Sequence, residues 1–242
     1  MVLMTYFLIG SIDNRKVGMQ IPENLESLIN FLLMNIQSDP HHNFSAQKRQ
    51  EIYEAFGPRT DHQAARARGW LAVITARHVL SIFEQALPDE NHPRKLIEMA
   101  EATLRGKFSV EEAIREAAEG HEISGRLWGH EETEVTWNAY LAGTAAHRAL
   151  AEAAGVDPFM RISWIRASDS PDQGGQPIPF DQLPDEKLAE WLGDTAAAAA
   201  VAHAYDSDQL KSDPQKLLEF WRWWLKDAIT AAWNCMEAND DC

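Results

Sequence analysis

The stretch Asp61–Leu87, DHQAARARGWLAVITARHVLSIFEQAL, decides the fold. Leu71, Ile74, His78, Val79 and Ile82 fall on one helical face, while Trp70, Val73, Leu80 and Leu87 cover much of the opposite side. A helix that is apolar nearly all round needs neighbours on several sides, so this one is expected at the centre of an all-α protein. Thr60, followed three residues later by Gln63, supplies a capping-box start, and Pro88 closes the segment.

Working outward, the same helical spacing recurs. Pro22 opens a helix through Leu25, Leu28, Ile29, Leu32 and Leu33, and Gln47 to Phe56 makes a short second one, broken by Gly57-Pro58. Downstream, Pro93 starts a helix that Gly106 ends, and Ser109 with Glu112 caps another reaching Gly120 or slightly beyond. Glu131 to Ala154 is rich in alanine, Pro184 opens a short helix ending near Gly193, Thr195 to Tyr205 holds a five-alanine run, and Asp213-Pro214 caps a last helix towards Ala238. Strand patterning is confined to the first ten residues and Met160 to Ile165. The expected fold is an irregular multi-helix bundle of about eight helices with a short non-helical N-terminal arm. It divides into the arm (1–21), a main helical domain (22–165), a proline- and glycine-rich loop (166–183) and a C-terminal helical subdomain (184–242) packed on the main one.

Composition bounds the function. The 242 residues are 45% hydrophobic and 24% charged, which excludes disordered, collagen-like and disulfide-framework classes. Acidic side chains outnumber basic ones 37 to 22, and the net charge of −15 repels a polyanion and favours a basic partner. Nucleic acid is therefore not an expected partner. Two cysteines, Cys235 and Cys242, form neither a framework nor a zinc motif, and a reducing cytoplasm is the natural setting. Met1 to Gly10 is apolar but lacks a basic start, a cleavage site and the length to span a bilayer, so it reads as a short strand or packed arm. No membrane association is expected.

The chemistry-bearing residues point away from catalysis. Among nine histidines, His41-His42 lies near Asp39, but His121-Glu122 and His130-Glu131 lack the second histidine of a zinc helix, since Gly125 and Glu134 stand there. No metal, cofactor or catalytic residue is assigned. Neither a nucleophile elbow nor a phosphate loop is present, and the paired carboxylates read as solvated helix faces. His78 reads as a buried histidine bonded to a carbonyl or carboxylate; Arg148, on the face of Trp137, Leu141 and Thr144, needs a carboxylate partner. With Arg77, these two form a possible buried polar pocket for a small ligand or an enzymatic reaction.

Two surfaces suit protein contact. On the last helix Leu217, Trp221, Trp224, Ala228 and Ala232 form a core face with Phe220 and Leu225 beside it. Trp223 and Trp233 project elsewhere, to be covered by a neighbouring helix or the arm, or to serve as a second interface for a homodimer or a partner. From Asp89 to Glu134 there are twelve carboxylates against six Lys or Arg. Within it Trp128 and Trp137 flank Glu131, Glu132 and Glu134; with Asp89 and Glu90 they make the expected patch for a basic protein, charge steering the encounter and aromatics anchoring it.

From Trp70 to Ala118 the chain carries His78-Val79-Leu80, Phe83-Glu84, Pro88-Asp89-Glu90-Asn91-His92-Pro93-Arg94, Ile97-Glu98, Ala100 and Gly106, then an alanine-bearing helix. This pattern resembles the predicted immunity proteins of bacterial polymorphic-toxin systems, the all-α family numbered five and its relatives, over residues 71–154. It departs from that family at His92, where the pattern has arginine, at Asn91, often aspartate, and at Thr103, where tryptophan is common. The resemblance implies a non-catalytic protein that binds a cognate toxin, covering a basic active-site cleft with carboxylates. Independently of the family, Asp89 and Arg94 are expected to fix the turn between two packed helices. A housekeeping interaction protein drifted from that family is the alternative.

Overall fold

Asp61, not Thr60, opens the central helix: its carboxylate accepts from the backbone N–H groups of Gln63 and Ala64 at 2.8 and 3.2 Å. In the computed structural model the described residues are 21–58, 60–129, 137–159, 194–209 and 211–235, of which 121–129 are described by their backbone only. Residues 1–20 of the expected arm, the 166–183 loop, the helix opened by Pro184 and both strand candidates lie outside them.

The helices are α1 (Glu23–Ser38), α2 (Ala46–Ala55), α3 (His62–Ala86), α4 (His92–Leu104), α5 (Val110–Gly129), α6 (Trp137–Ala153), α7 (Thr195–Ala204) and α8 (Pro214–Trp223). The last continues through a π-helical turn (Trp224–Ala228) into α9 (Ile229–Asn234), where the sequence pattern predicts an unbroken α-helix. The fold is all-α. One short antiparallel pairing, Tyr205 with Ser212 and Asp206 with Lys211, was not expected from the sequence; two residues per strand are too few for an alternation pattern.

α3 and α6 pack on each other, α7 lies against both, and α4 and α5 pack on α6. α8 rests on α7, α9 on α3, and α1 pairs with α2 while reaching α8 and the π-turn. The seam between α3, α6 and α7 is built from small residues, with Ala72, Ala76, Ala142, Ala145, Ala146, Ala149 and the Ala196–Ala200 run all buried. Alanine gives up no rotamer freedom here and lets the backbones approach closely. Around α8 the core is aromatic instead: Phe44, Trp221 and Trp224 are fully buried, with Phe44 and Trp221 edge to face at 5.0 Å between centroids. Each such side chain adds ~1.5–3 kcal/mol by burial.

Several local expectations hold and several do not. Ser109 accepts from the Glu112 N–H at 3.1 Å and donates its hydroxyl to the Glu112 carboxylate at 2.9 Å, opening α5. Gly106 ends α4 with φ of 68°, the left-handed conformation glycine adopts without penalty, and Lys107 N–H closes back on Ala102 at 2.7 Å. α5, however, runs on past Gly120. That glycine marks a close approach: a Cβ there would lie 2.7 Å from Leu96 Cδ1 and 3.1 Å from His147 Cβ. Trp70, Leu71, Val73, Val79 and Leu80 are buried as expected, but His78 is exposed. Cys235, buried after α9, is disulfide-bonded, which departs from the reducing setting expected of the two cysteines; Cys242 lies outside the described residues.

Candidate partner-binding surface

The most elaborate polar arrangement is internal. Where α2, α6 and the start of α7 meet, Arg49 and Asp194 are both fully buried, with Arg49 Nε 2.9 and 3.1 Å from the two Asp194 oxygens. Arg49 also donates through Nη1 to the Phe44 carbonyl and lies over the Trp221 ring at 5.6 Å. Asp194 caps α7 by accepting from Ala197 N–H at 2.8 Å. Beside it Glu152 Oε1 accepts from the N–H and the hydroxyl of Thr195, each at 2.7 Å, and Oε2 accepts from the Tyr53 hydroxyl at 2.8 Å.

Burial, reinforced by the Asp194 charge, pushes the Glu152 carboxyl up to about 7 against the opposing pull of its Thr195 and Tyr53 hydrogen bonds. Burial and the neighbouring Glu152 raise the Tyr53 phenol well above its ordinary value. The Glu152 oxygens are spent on groups of the chain itself, so the arrangement joins three segments rather than presenting acid–base groups to a substrate. None of Arg49, Tyr53, Glu152 or Asp194 was singled out from the sequence. The available signals were a glutamate in an alanine-rich helix and an aspartate just before an alanine run, both weak because the partners are distant in the chain.

The expected polar pocket separates into three neighbourhoods. Arg77 reaches Glu101 on α4, which also holds Arg105 at 3.1 Å. His78 stacks on Trp223 at 3.6 Å and faces His203 at 5.6 Å between centroids. Arg148 donates to the Asp194 carbonyl at 3.4 Å. Partial burial against Trp223 and then the charge of His203 lower the His78 imidazole; partial burial lowers that of His203, with the Glu219 charge opposing and the Lys216 charge adding to it. Among the described residues, no group of three or more His, Cys, Asp or Glu is placed to hold a metal ion.

Of the tryptophans proposed for a second interface, Trp223 is half-buried against His78 and 5.6 Å from Phe220, and Trp233 is half-buried and stacked on Phe56 at 6.0 Å. Neighbouring helices cover a large part of both.

The acidic patch is only partly within view. Asp89 is exposed in the turn after α3, whereas Glu90 accepts from His92 N–H at 2.8 Å and so helps open α4. Arg94 pairs with Glu84 at 2.8 Å, so this pair rather than Asp89 with Arg94 braces the turn. Trp137 begins α6, half-buried and stacked on Tyr140 at 5.2 Å. Trp128 lies on α5, in its backbone-only part, and Glu131, Glu132 and Glu134 lie outside the described residues.

Exposed apolar side chains mark two helices. α1 presents Phe31 and Met34, 55% and 64% exposed, and α5 presents Val110 and Ile114, 51% and 45% exposed. No described helix is long and apolar enough to cross a membrane.

The described residues are almost wholly helical, and their most elaborate polar cluster is turned inward. The chain belongs to the family of immunity protein Imm5, whose pattern it matches over residues 29–231. That range runs from within α1 to the middle of α9, well beyond the 71–154 segment that carried the resemblance. No curated protein matches the chain.

Proposed function

We propose that this protein neutralises a bacterial toxin by stoichiometric docking, without turnover, in the cytoplasm where the toxin would act. Membership of an immunity family over residues 29–231 carries this reading. The net charge of −15 supports a basic toxin surface as the partner, because opposite charge accelerates encounter and selects orientation. The proposed contact region runs from Asp89 and Glu90 to Trp128, Glu131, Glu132, Glu134 and Trp137.

Immunity determinants normally sit directly beside their toxins, which supplies the test. The product of the adjacent reading frame should arrest growth when expressed alone, and co-expression of this chain should restore growth and yield a complex of fixed stoichiometry. Glu131→Lys with Glu132→Lys should weaken that complex while leaving the melting temperature within a degree or two. Arrest that this chain fails to relieve would remove the immunity reading.

A further inference from the structure

We propose that the outward shoulder of α5, with Val110 and Ile114 as its apolar anchors, is where the basic toxin surface docks; this rests on the immunity reading above. Ala113, Ala117 and Gly120 are buried, at the i, i+4, i+7 spacing of a single helical stripe. α4 and α6 are the neighbours α5 packs on. Val110 and Ile114, also four residues apart, flank that stripe and remain about half exposed, although β-branched side chains of this size are normally drawn inside. Beyond them the outer face is charged: Glu111, Glu112, Arg115 and Glu119 are exposed, and Arg115 is bound to Glu116 at 3.1 Å. Arg115 is thus engaged, and carboxylates prevail over cations on this described stretch of the helix.

That combination is the pattern of a docking surface, an apolar centre inside a charged rim that steers a partner of opposite sign. The exposed pair on α1 lacks it. Phe31 and Met34 are larger, but Ser27, Asn30 and Gln37 around them carry no charge, and only Glu23 and Glu26 in the first turn are acidic. A neutral apolar face offers a basic protein area without orientation. α5 also leads directly into the segment holding Glu131, Glu132 and Glu134, which extends the same sign of charge along the chain.

The test places a photo-crosslinking benzophenone side chain at Ile114 in one full-length chain and at Phe31 in another, each expressed in the native host beside its own neighbouring genes. Irradiation at position 114 should give an adduct identified by mass spectrometry as a basic toxin domain, with position 31 giving none. Adding Glu111→Lys and Glu119→Lys should reduce the adduct about tenfold, since both reversals oppose the steering charge. Both positions are exposed, and the reversal in the first turn of α5 at Glu111 should lower the thermal melt only slightly, far less than the adduct falls. A toxin adduct from position 31 and not 114 would overturn the α5 assignment while leaving the immunity reading intact. An adduct at 114 that is indifferent to the charge reversals, or is not a toxin, would overturn it equally. Growth rescue, which does not depend on the face used, judges the immunity reading separately.

Discussion

The α3–α6–α7 seam and the aromatic corner at α8 are both dry and both helical, yet they are held by opposite means. At the seam, buried alanines let backbones come together, so stability lies in closeness, and close-packed interiors tolerate added volume poorly. At the corner, Phe44, Phe220, Trp221 and Trp224 fill wide spaces between helices, and Phe220 and Trp221 meet edge to face at 5.0 Å. There stability lies in volume. The π-turn falls at the corner, where a helix must present Trp221, Trp224 and Leu225 inward within five residues. A local widening of the helix accommodates such crowding.

The contrast predicts opposite responses to changes in size. Trp221→Ala should cost about 3–5 kcal/mol, the largest single loss, because the corner cannot collapse into the void. Urea titration would show it as a lowered midpoint at unchanged slope; a loss below about 1 kcal/mol would mean the corner is loosely packed. Arg49→Met should cost about 3 kcal/mol or more by stranding the buried Asp194, and Arg49→Met with Asp194→Asn should recover part of it. At the seam, Ala199→Leu should destabilise by about 1–3 kcal/mol through overpacking, although it adds apolar surface. Thr75→Val is the finest of these tests. Trp224 Nε1 donates to the Thr75 hydroxyl at 3.0 Å, and losing that acceptor should cost about 1–2 kcal/mol where the methyl alone would be neutral.

These two regions also differ in how legible they were. The helix side of the corner could be read from the sequence because Leu217, Trp221, Trp224, Ala228 and Ala232 repeat at helical spacing and the tryptophans are large enough to demand burial; Phe44, in the loop before α2, carried no such repeat. The central place of α3 was legible for the same reason. Its sidedness was not: a helix apolar all round carries no marker for which gap its neighbours leave open, and His78 fell in that gap beside Trp223. The Arg49–Asp194 pair spans 145 positions, and no local pattern joins residues so far apart. Asp61 and Thr60 are both competent caps one residue apart, and only the geometry of the turn decides between them. For the surface, charge was legible as an excess over 89–134, but which carboxylates are spent internally was not. Glu101 and Glu90 are engaged within the fold, whereas Glu111 and Glu119 are exposed.

The smallest effect is also the one that distinguishes the polar clasp from both apolar regions. Glu152 has a value of about 7 in the folded protein, above the 4.5 of a free carboxyl, so folding favours its protonated form. Its contribution is therefore fully present below pH 4.5 and is lost as the pH rises through 7, with at most about 1 kcal/mol changing across any one pH unit. His78 and His203 act in the opposite sense. Their folded values lie below the ordinary imidazole value of 6.5, so their contribution is present above 6.5 and declines as acid protonates them. Between pH 4.5 and 7 the two effects oppose each other, and above about pH 7.5 neither changes, so the Glu152 contribution is read as a difference between proteins. Glu152→Gln keeps an oxygen to accept from Thr195 but has no proton to lose, so its melting temperature should gain on the parent protein as the pH rises from 5 to 7 and hold that gain to pH 9. A difference that stays flat from pH 5 to 7 would place the titrating group elsewhere and reduce the clasp to packing alone.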